Sequence, residues 1–244
     1  MTIKSLGVEL EGAWQKLPEA FFNSENKYHM KVYRNDGSLH NLEELLCKTC
    51  NKNTRYCICE VKNFDNADME NNNFKYVGEC ASYPYFHINN MLKFIEDYYP
   101  IKTNKTCGLH IHLKPENLNE YQKLMSKKFY NDFIQAVKYW AKSRQINEDS
   151  ELYRRLKGTM TYCKLGFVPH QNGTDSPHYN MISYCYAKHG TIEIRVFPAF
   201  QSMYLARDAV RFTYDFTNSW LICNNNLKSK RSHIPVKNIV LGDL

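Results

Sequence analysis

Three short apolar segments each carry two chemically capable residues two positions apart: Glu9 and Glu11 in GVELEG, His110 and His112 in GLHIHL, Glu193 and Arg195 in TIEIRVF. Successive side chains of an extended chain point to opposite faces. Each pair therefore projects from one side of a strand, while Val8 and Leu10, Leu109 and Ile111, or Ile192 and Ile194 project from the other. If these strands share a sheet, three carboxylates, two imidazoles and a guanidinium converge on one surface, an inventory suited to holding a cation and a phosphate. Any one pair alone is also what a half-solvated antiparallel sheet shows without chemistry. His-x-His favours a site, because two imidazoles on one face of an apolar strand are an uncommon way to solvate a sheet and imidazole is a frequent metal ligand.

A second cluster is made of thiols. Cys47-x-x-Cys50 followed by Cys57-x-Cys59 puts four of the nine cysteines within 13 positions, close enough for two tight turns to wrap one tetrahedral Zn²⁺. A structural zinc knuckle is the expectation; reduced cysteines without metal, or redox chemistry, are the alternatives. Cys80, Cys107, Cys163, Cys185 and Cys223 read as small residues in or near the core.

The elements that must position these groups follow from periodicity. Strands are expected over 3–11, 30–34, 57–62, 74–80 and 107–113, and a hairpin over 179–187 and 190–198 around Lys188-His189-Gly190. Ile88, Met91, Leu92, Ile95 and Tyr99 recur at helical spacing and Pro100 stops that helix. Leu118, Tyr121, Met125, Phe129, Phe133, Val137 and Trp140 predict one long helix over 117–145, and a last helix is expected near 203–223. The fold class is α+β: an antiparallel sheet with helices on its apolar face and the polar face open as a wet, acidic concavity. Functional pairs near both ends argue for one domain over 1–223, with 47–59 as an insertion and 224–244 as a polar tail.

Among the 244 residues, 43% are hydrophobic and no apolar run approaches the roughly 20 residues needed to span a bilayer, so no membrane partner is expected. The first residues read as strand rather than as a charged leader with an apolar segment, which leads to the expectation of a cytoplasmic protein. A formal net charge of +7 suggests anionic company, although Lys228-Ser229-Lys230-Arg231 and a basic helix supply much of it and such charge is usually solvated surface.

Gly7-x-Glu9-x-Glu11, Gly78-Glu79-x-x-Ser82, Gly108-Leu109-His110-Ile111-His112, Asn180 and Thr191-Ile192-Glu193-Ile194-Arg195 occur in this order, with an Asp36-Gly37-Ser38 turn. The series resembles the amidoligase family of the glutamine-synthetase-like carboxylate–amine ligase superfamily, over Gly7 to Phe197. The resemblance implies a glutamine-synthetase-like sheet and an ATP-dependent ligase that joins a carboxylate substrate to an amine or peptide, releasing ADP and phosphate. By the same resemblance, Glu9, His110 and Glu193 would hold the metal bridging the nucleotide phosphates, and Glu11 and Glu79 a second metal. His112 and Arg195 would contact phosphate, and with Glu193 they form the expected catalytic set. Mg²⁺ or Mn²⁺ suits such oxygen-rich ligands. Glu60 and Asp36 are the nominees for a further carboxylate on the second metal, and Tyr153, Arg154, Arg155 and Tyr162 lie where substrate selection would sit or form an exposed charged helix with packed aromatics.

Two other functions compete. A zinc-containing nucleic-acid-binding protein would use the basic balance and the tyrosines, but carboxylates gathered on the binding face would repel phosphates unless metals intervene. A metal-dependent hydrolase or oxygenase would use His110, His112 and one glutamate as a facial triad, but Arg195 beside Glu193 suits phosphate better than a redox metal.

Overall fold

Alternation of apolar and polar residues over GVELEG, GLHIHL and TIEIRVF gives three strands that the fold places side by side. The computed structural model describes residues 2–14, 30–33, 76–100, 103, 105, 107–160, 163–167, 179–185 and 189–226. Within them lie strands β1 (Ile3–Trp14), β2 (Met30–Tyr33), β3 (Tyr76–Ser82), β4 (Gly108–Pro115), β5 (Ile182–Cys185) and β6 (Thr191–Pro198). They form one six-stranded sheet in the order β2-β3-β1-β4-β6-β5, with every neighbouring pair antiparallel. β1, β4 and β6, the carriers of the three pairs, are consecutive in the sheet. The architecture is α+β, as expected.

Leu6, Val8, Leu10, Leu109, Ile111, Leu113, Ile192 and Ile194 form one buried face. Against it pack helices α1 (Ile88–Tyr98), α3 (Lys127–Ser143) and α5 (Met203–Asn226), in one apolar cluster that includes Met91, Phe133, Val137, Trp140, Val210 and Phe216. Each fully buried aliphatic or Phe side chain contributes roughly 1.5–3 kcal/mol by leaving water. Trp140 meets Phe197 of β6 edge-on at 5.5 Å and directs its indole N–H to Asp208 of α5 at 2.8 Å. At the other end of α5, Asn218 Oδ1 accepts from the Thr2 hydroxyl at 2.7 Å and from the Thr2 and Ile3 amides at 3.1 Å, which ties the start of β1 to that helix.

The expected helix over 117–145 is two helices. α2 (Leu118–Leu124) and α3 are separated at Met125-Ser126, where the Ser126 hydroxyl accepts from the Phe129 amide and starts a new helix, a capping choice that overrides the continuous apolar stripe. Leu118, assigned to the stripe, is 51% exposed at the first position of α2, whereas Tyr121 and Leu124 of the same helix are buried. α5 runs to Asn226, beyond the expected 223. A short helix, α4 (Glu151–Leu156), lies along β6. Cys47, Cys50, Cys57, Cys59, Asp36, Glu60, Tyr162, the strand expected over 57–62 and the tail after Asn226 all lie outside the described residues. No helix among the described residues is long and apolar enough to cross a membrane.

One irregularity in the sheet bears on the site. The β4/β6 register runs Leu113 to Ile192, His112 to Glu193 and Ile111 to Ile194, then slips by one so that Leu109 faces Phe197. Two residues of β6, Arg195 and Val196, thus stand opposite His110 alone. This is a β-bulge, which returns Phe197 to the core face although it is three residues from Ile194.

Candidate metal and phosphate site

Register alone brings the polar pairs together. Glu9 of β1 is directly opposite His110 of β4, His112 is opposite Glu193 of β6, and Glu11 is opposite Glu79 of β3. Ser183 of β5 faces Glu193 from the far side. The expectation of an open, wet face is corrected here: Glu11, His110, Glu193 and Arg195 are each at most 3% exposed. Of the six residues in the three pairs, Glu9 and His112 retain appreciable side-chain exposure, 25% and 16%, so solvent reaches the cluster at that end.

His110 is ringed by carboxylates. Its Nδ1 is 3.1 Å from Glu9 Oε2 and 3.5 Å from Glu193 Oε1, and its Nε2 is 3.7 Å from Glu11 Oε1. The ring folds over Gly108, where a Cβ would run into Nε2 and lie 2.9 Å from Cδ2 and 3.3 Å from Glu11 Oε2. The Gly108 amide donates to Glu11 Oε2, and Arg195 Nη1 donates to Glu193 Oε1. The Arg195 guanidinium also lies 6.0 Å from the centre of the Tyr179 ring. At the rim, the His112 ring meets His189 edge-on at 6.2 Å, and its Nδ1 is 3.4 Å from the Thr191 hydroxyl.

The groups able to close around a cation are Glu9, His112 and Glu193, each offering one ligand atom, with these atoms all within 4.8 Å of one another. His112 Nε2 stands 3.0 Å from Glu9 Oε1 but out of line for a hydrogen bond, so this buried ring nitrogen has no aligned partner among the described residues. Buried polar atoms are seldom left so. Glu9 and Glu193 supply two carboxylate charges at the ligand positions, which one divalent cation balances. The donor set therefore fits a hard divalent ion. The group that could close around a cation contains His112 where the resemblance implies His110, which stands between Glu9, Glu193 and Glu11. Glu11 and Glu79 do face each other, but no third ligand joins them among the described residues.

Electrostatics sort the two imidazoles. Burial and the Arg195 charge push His110 below its ordinary value and keep it neutral; burial pushes His112 down too, but the Glu9 charge, contact with Glu9 and the Glu193 charge together hold it above its ordinary value. Burial pushes both Glu9 and Glu193 up, but His112 and the His110 hydrogen bond hold Glu9 well below the usual carboxylate range, and Arg195 holds Glu193 below it. An imidazolium at His112 thus stands between two carboxylates where a cation fits. Metal binding must expel that proton.

A pH dependence follows. The stability supplied by Glu9 and Glu193 is present above the unfolded value of about 4.3 and lost as pH falls through their lowered folded values; neutral His110 adds an acid loss that begins below about 6.5. The contribution of His112 is full below about 6.5 and lost as pH rises through its raised folded value. In EDTA the melting temperature should peak near neutral pH and fall on both sides, and Mn²⁺ should remove the alkaline fall because it needs the neutral ring. A melting temperature in EDTA that is level above neutral would refute this.

Sequence reasoning left two contributors unassigned. Arg155, grouped with substrate-selecting or exposed residues, is 2% exposed and bonds inward to backbone carbonyls; its neighbour Arg154 is the exposed one, paired with Glu151 at 2.7 Å. The adjacent-arginine pattern on a six-residue helix carries no signal for which one turns in. Cys185, read as near-core, is half-buried and directs its thiol to Glu193 Oε2 at 3.7 Å. No protein-family model, curated protein or solved structure matches this chain.

Proposed function

We propose that this protein is an ATP-dependent carboxylate–amine ligase that releases ADP and phosphate. The observation that carries the reading is the closure of Glu9, His112 and Glu193 within ligand distance, with the Arg195 guanidinium paired to Glu193 two residues along the same strand. Two carboxylates and one imidazole form a hard ligand set that favours Mg²⁺ or Mn²⁺. A facial triad of two histidines and one carboxylate would need His110 and His112 to share an ion, and His110 is instead flanked on both ring nitrogens by carboxylates.

A carboxylate resists amine attack because its leaving group would be oxide. In the proposed reaction a carboxylate oxygen of the substrate attacks the γ-phosphorus and ADP departs with the bond electrons. The amine then attacks the acyl phosphate carbon, loses a proton, and phosphate leaves. A divalent ion held by Glu9, His112 and Glu193 would supply charge neutralisation at the nucleotide phosphates. Arg195 would present fixed donors to the transferred group: its Nη1 is on Glu193, and its buried Nε has no hydrogen-bond partner among the described residues. His110 holds the Glu9 carboxylate in place. The protein's contribution is position and charge, with no nucleophilic side chain.

The test is the nucleotide product. With Mg²⁺ or Mn²⁺, a screen of amino acids, peptides and polyamines should give ADP that depends on a carboxylate, and hydroxylamine in place of the amine should trap a hydroxamate. Release of AMP and pyrophosphate, or nucleotide cleavage that survives EDTA, would defeat the reading. The cysteine cluster is assigned in the same proposal to a structural Zn²⁺, to be read as about one zinc per chain.

A further inference from the structure

The Arg195 backbone carries the bulge of β6 and, through its side chain, one end of the site. Its amide donates to the Met181 carbonyl at 2.9 Å. Its carbonyl accepts from Arg155 Nη1 at 3.1 Å, with the Cys163 thiol at 3.6 Å. The same guanidinium sends Nη2 to the Cys107 carbonyl at 3.0 Å, an oxygen that also accepts from the Ala199 amide at 3.0 Å. Cys107 directly precedes Gly108, whose amide holds the Glu11 carboxylate and whose missing side chain leaves room for the His110 ring. One buried guanidinium on α4 therefore spans the entrance of β4 and the bulge of β6.

We propose that Arg155 is a positioning residue for this site: its fork sets the separation between the Arg195 end, with Glu193, and the Gly108 end, with Glu11 and His110. The planar guanidinium fits this task because its two amino nitrogens diverge at fixed geometry, which a single ammonium cannot reproduce. His112 and Glu193 pair on the regular side of the β4/β6 ladder and Glu9 of β1 pairs with His110, so Arg155 acts on the Glu9, His112 and Glu193 group through both Glu193 and His110, as well as on the Arg195 guanidinium. The nucleotide arm of the test rests on the ligase reading; the backbone arm does not.

The backbone arm compares amide hydrogen exchange in the wild-type protein and in Arg155→Lys. Protection of the Gly108, Arg195 and Ala199 amides should fall about tenfold or more, while the Val8 amide, held by the Ser82 hydroxyl at 2.9 Å, should keep its protection. Arg155→Met, which buries no charge, is measured in parallel in case the lysine variant does not fold. Unchanged protection at Gly108 and Arg195, an equal loss at every amide including Val8, or failure of both variants to fold would each overturn the assignment, since the fork is proposed to place two segments rather than to hold the fold. In the nucleotide arm, Arg155→Lys should weaken Mn²⁺ binding through Glu193 and His110, and at saturating Mn²⁺ it should weaken binding of a non-hydrolysable ATP analogue about tenfold. A wild-type protein that binds neither Mn²⁺ nor the analogue would remove the ligase reading, with the exchange result still deciding the role of Arg155.

Discussion

Glu193→Gln is expected to weaken Mn²⁺ binding and to lower stability together, and on the proposed ligase reading to abolish turnover. The substitution keeps shape but removes one of two anionic ligands in the Glu9–His112–Glu193 group, leaving one carboxylate and one imidazole. Loss of partners that merely orient metal ligands costs 10–100-fold, so loss of a ligand itself should weaken Mn²⁺ binding by roughly 100-fold or more. The stability effect comes from Arg195, whose guanidinium is buried and donates to Glu193 Oε1. Breaking a buried pair leaves an uncompensated charge at a cost of about 3–5 kcal/mol; Glu11 and Glu9 also act on Arg195, which puts the expectation near the lower end. At this chain length that is a fall of roughly 10 °C in melting temperature. Mn²⁺ titration and thermal melting read the two parts separately, and a variant with wild-type values in both would sink the site.

Gly108→Ala should act through His110 with no chemistry of its own. The added methyl would occupy the space of the His110 ring, and that ring cannot swing aside cheaply because Glu9, Glu193 and Glu11 hold it from three directions. Overpacking of a closed site costs about 1–3 kcal/mol. Displacing the ring also removes the partner of Glu9 Oε2, so Mn²⁺ binding should weaken by about tenfold or more. Gly7→Ala is the control: its Cβ would meet nothing closer than 3.6 Å, ordinary contact distance, so it should retain stability and Mn²⁺ affinity. Equal behaviour of the two variants would show that His110 does not occupy the space over Gly108.

The elements that position the site were readable before any coordinates because period-2 alternation is a local property of the chain. GVELEG, GLHIHL and TIEIRVF each declare a strand with one apolar face, and apolar faces must be buried against helices, which the stripes of α1, α3 and α5 supply. The break at Met125-Ser126 was hidden for a local reason too: a serine cap competes with an unbroken apolar stripe, and periodicity weighs only the stripe.

From the sequence alone came the strands, their chemically distinct faces and the residue types that gather on one of them. Which atoms meet was decided by register, and register is a tertiary quantity. His110 and His112 are equivalent in the sequence pattern, yet pairing places His110 opposite Glu9 and His112 opposite Glu193, and the slip between Leu109 and Ile111 puts Arg195 and Val196 opposite His110. Burial was likewise invisible, because a polar residue on a strand face reads as solvated until packing over it is known. Arg155 shows the limit most plainly: the side chain that spans two site-bearing segments comes from a helix distant in sequence, and only three-dimensional packing turned it inward while its neighbour Arg154 faces water.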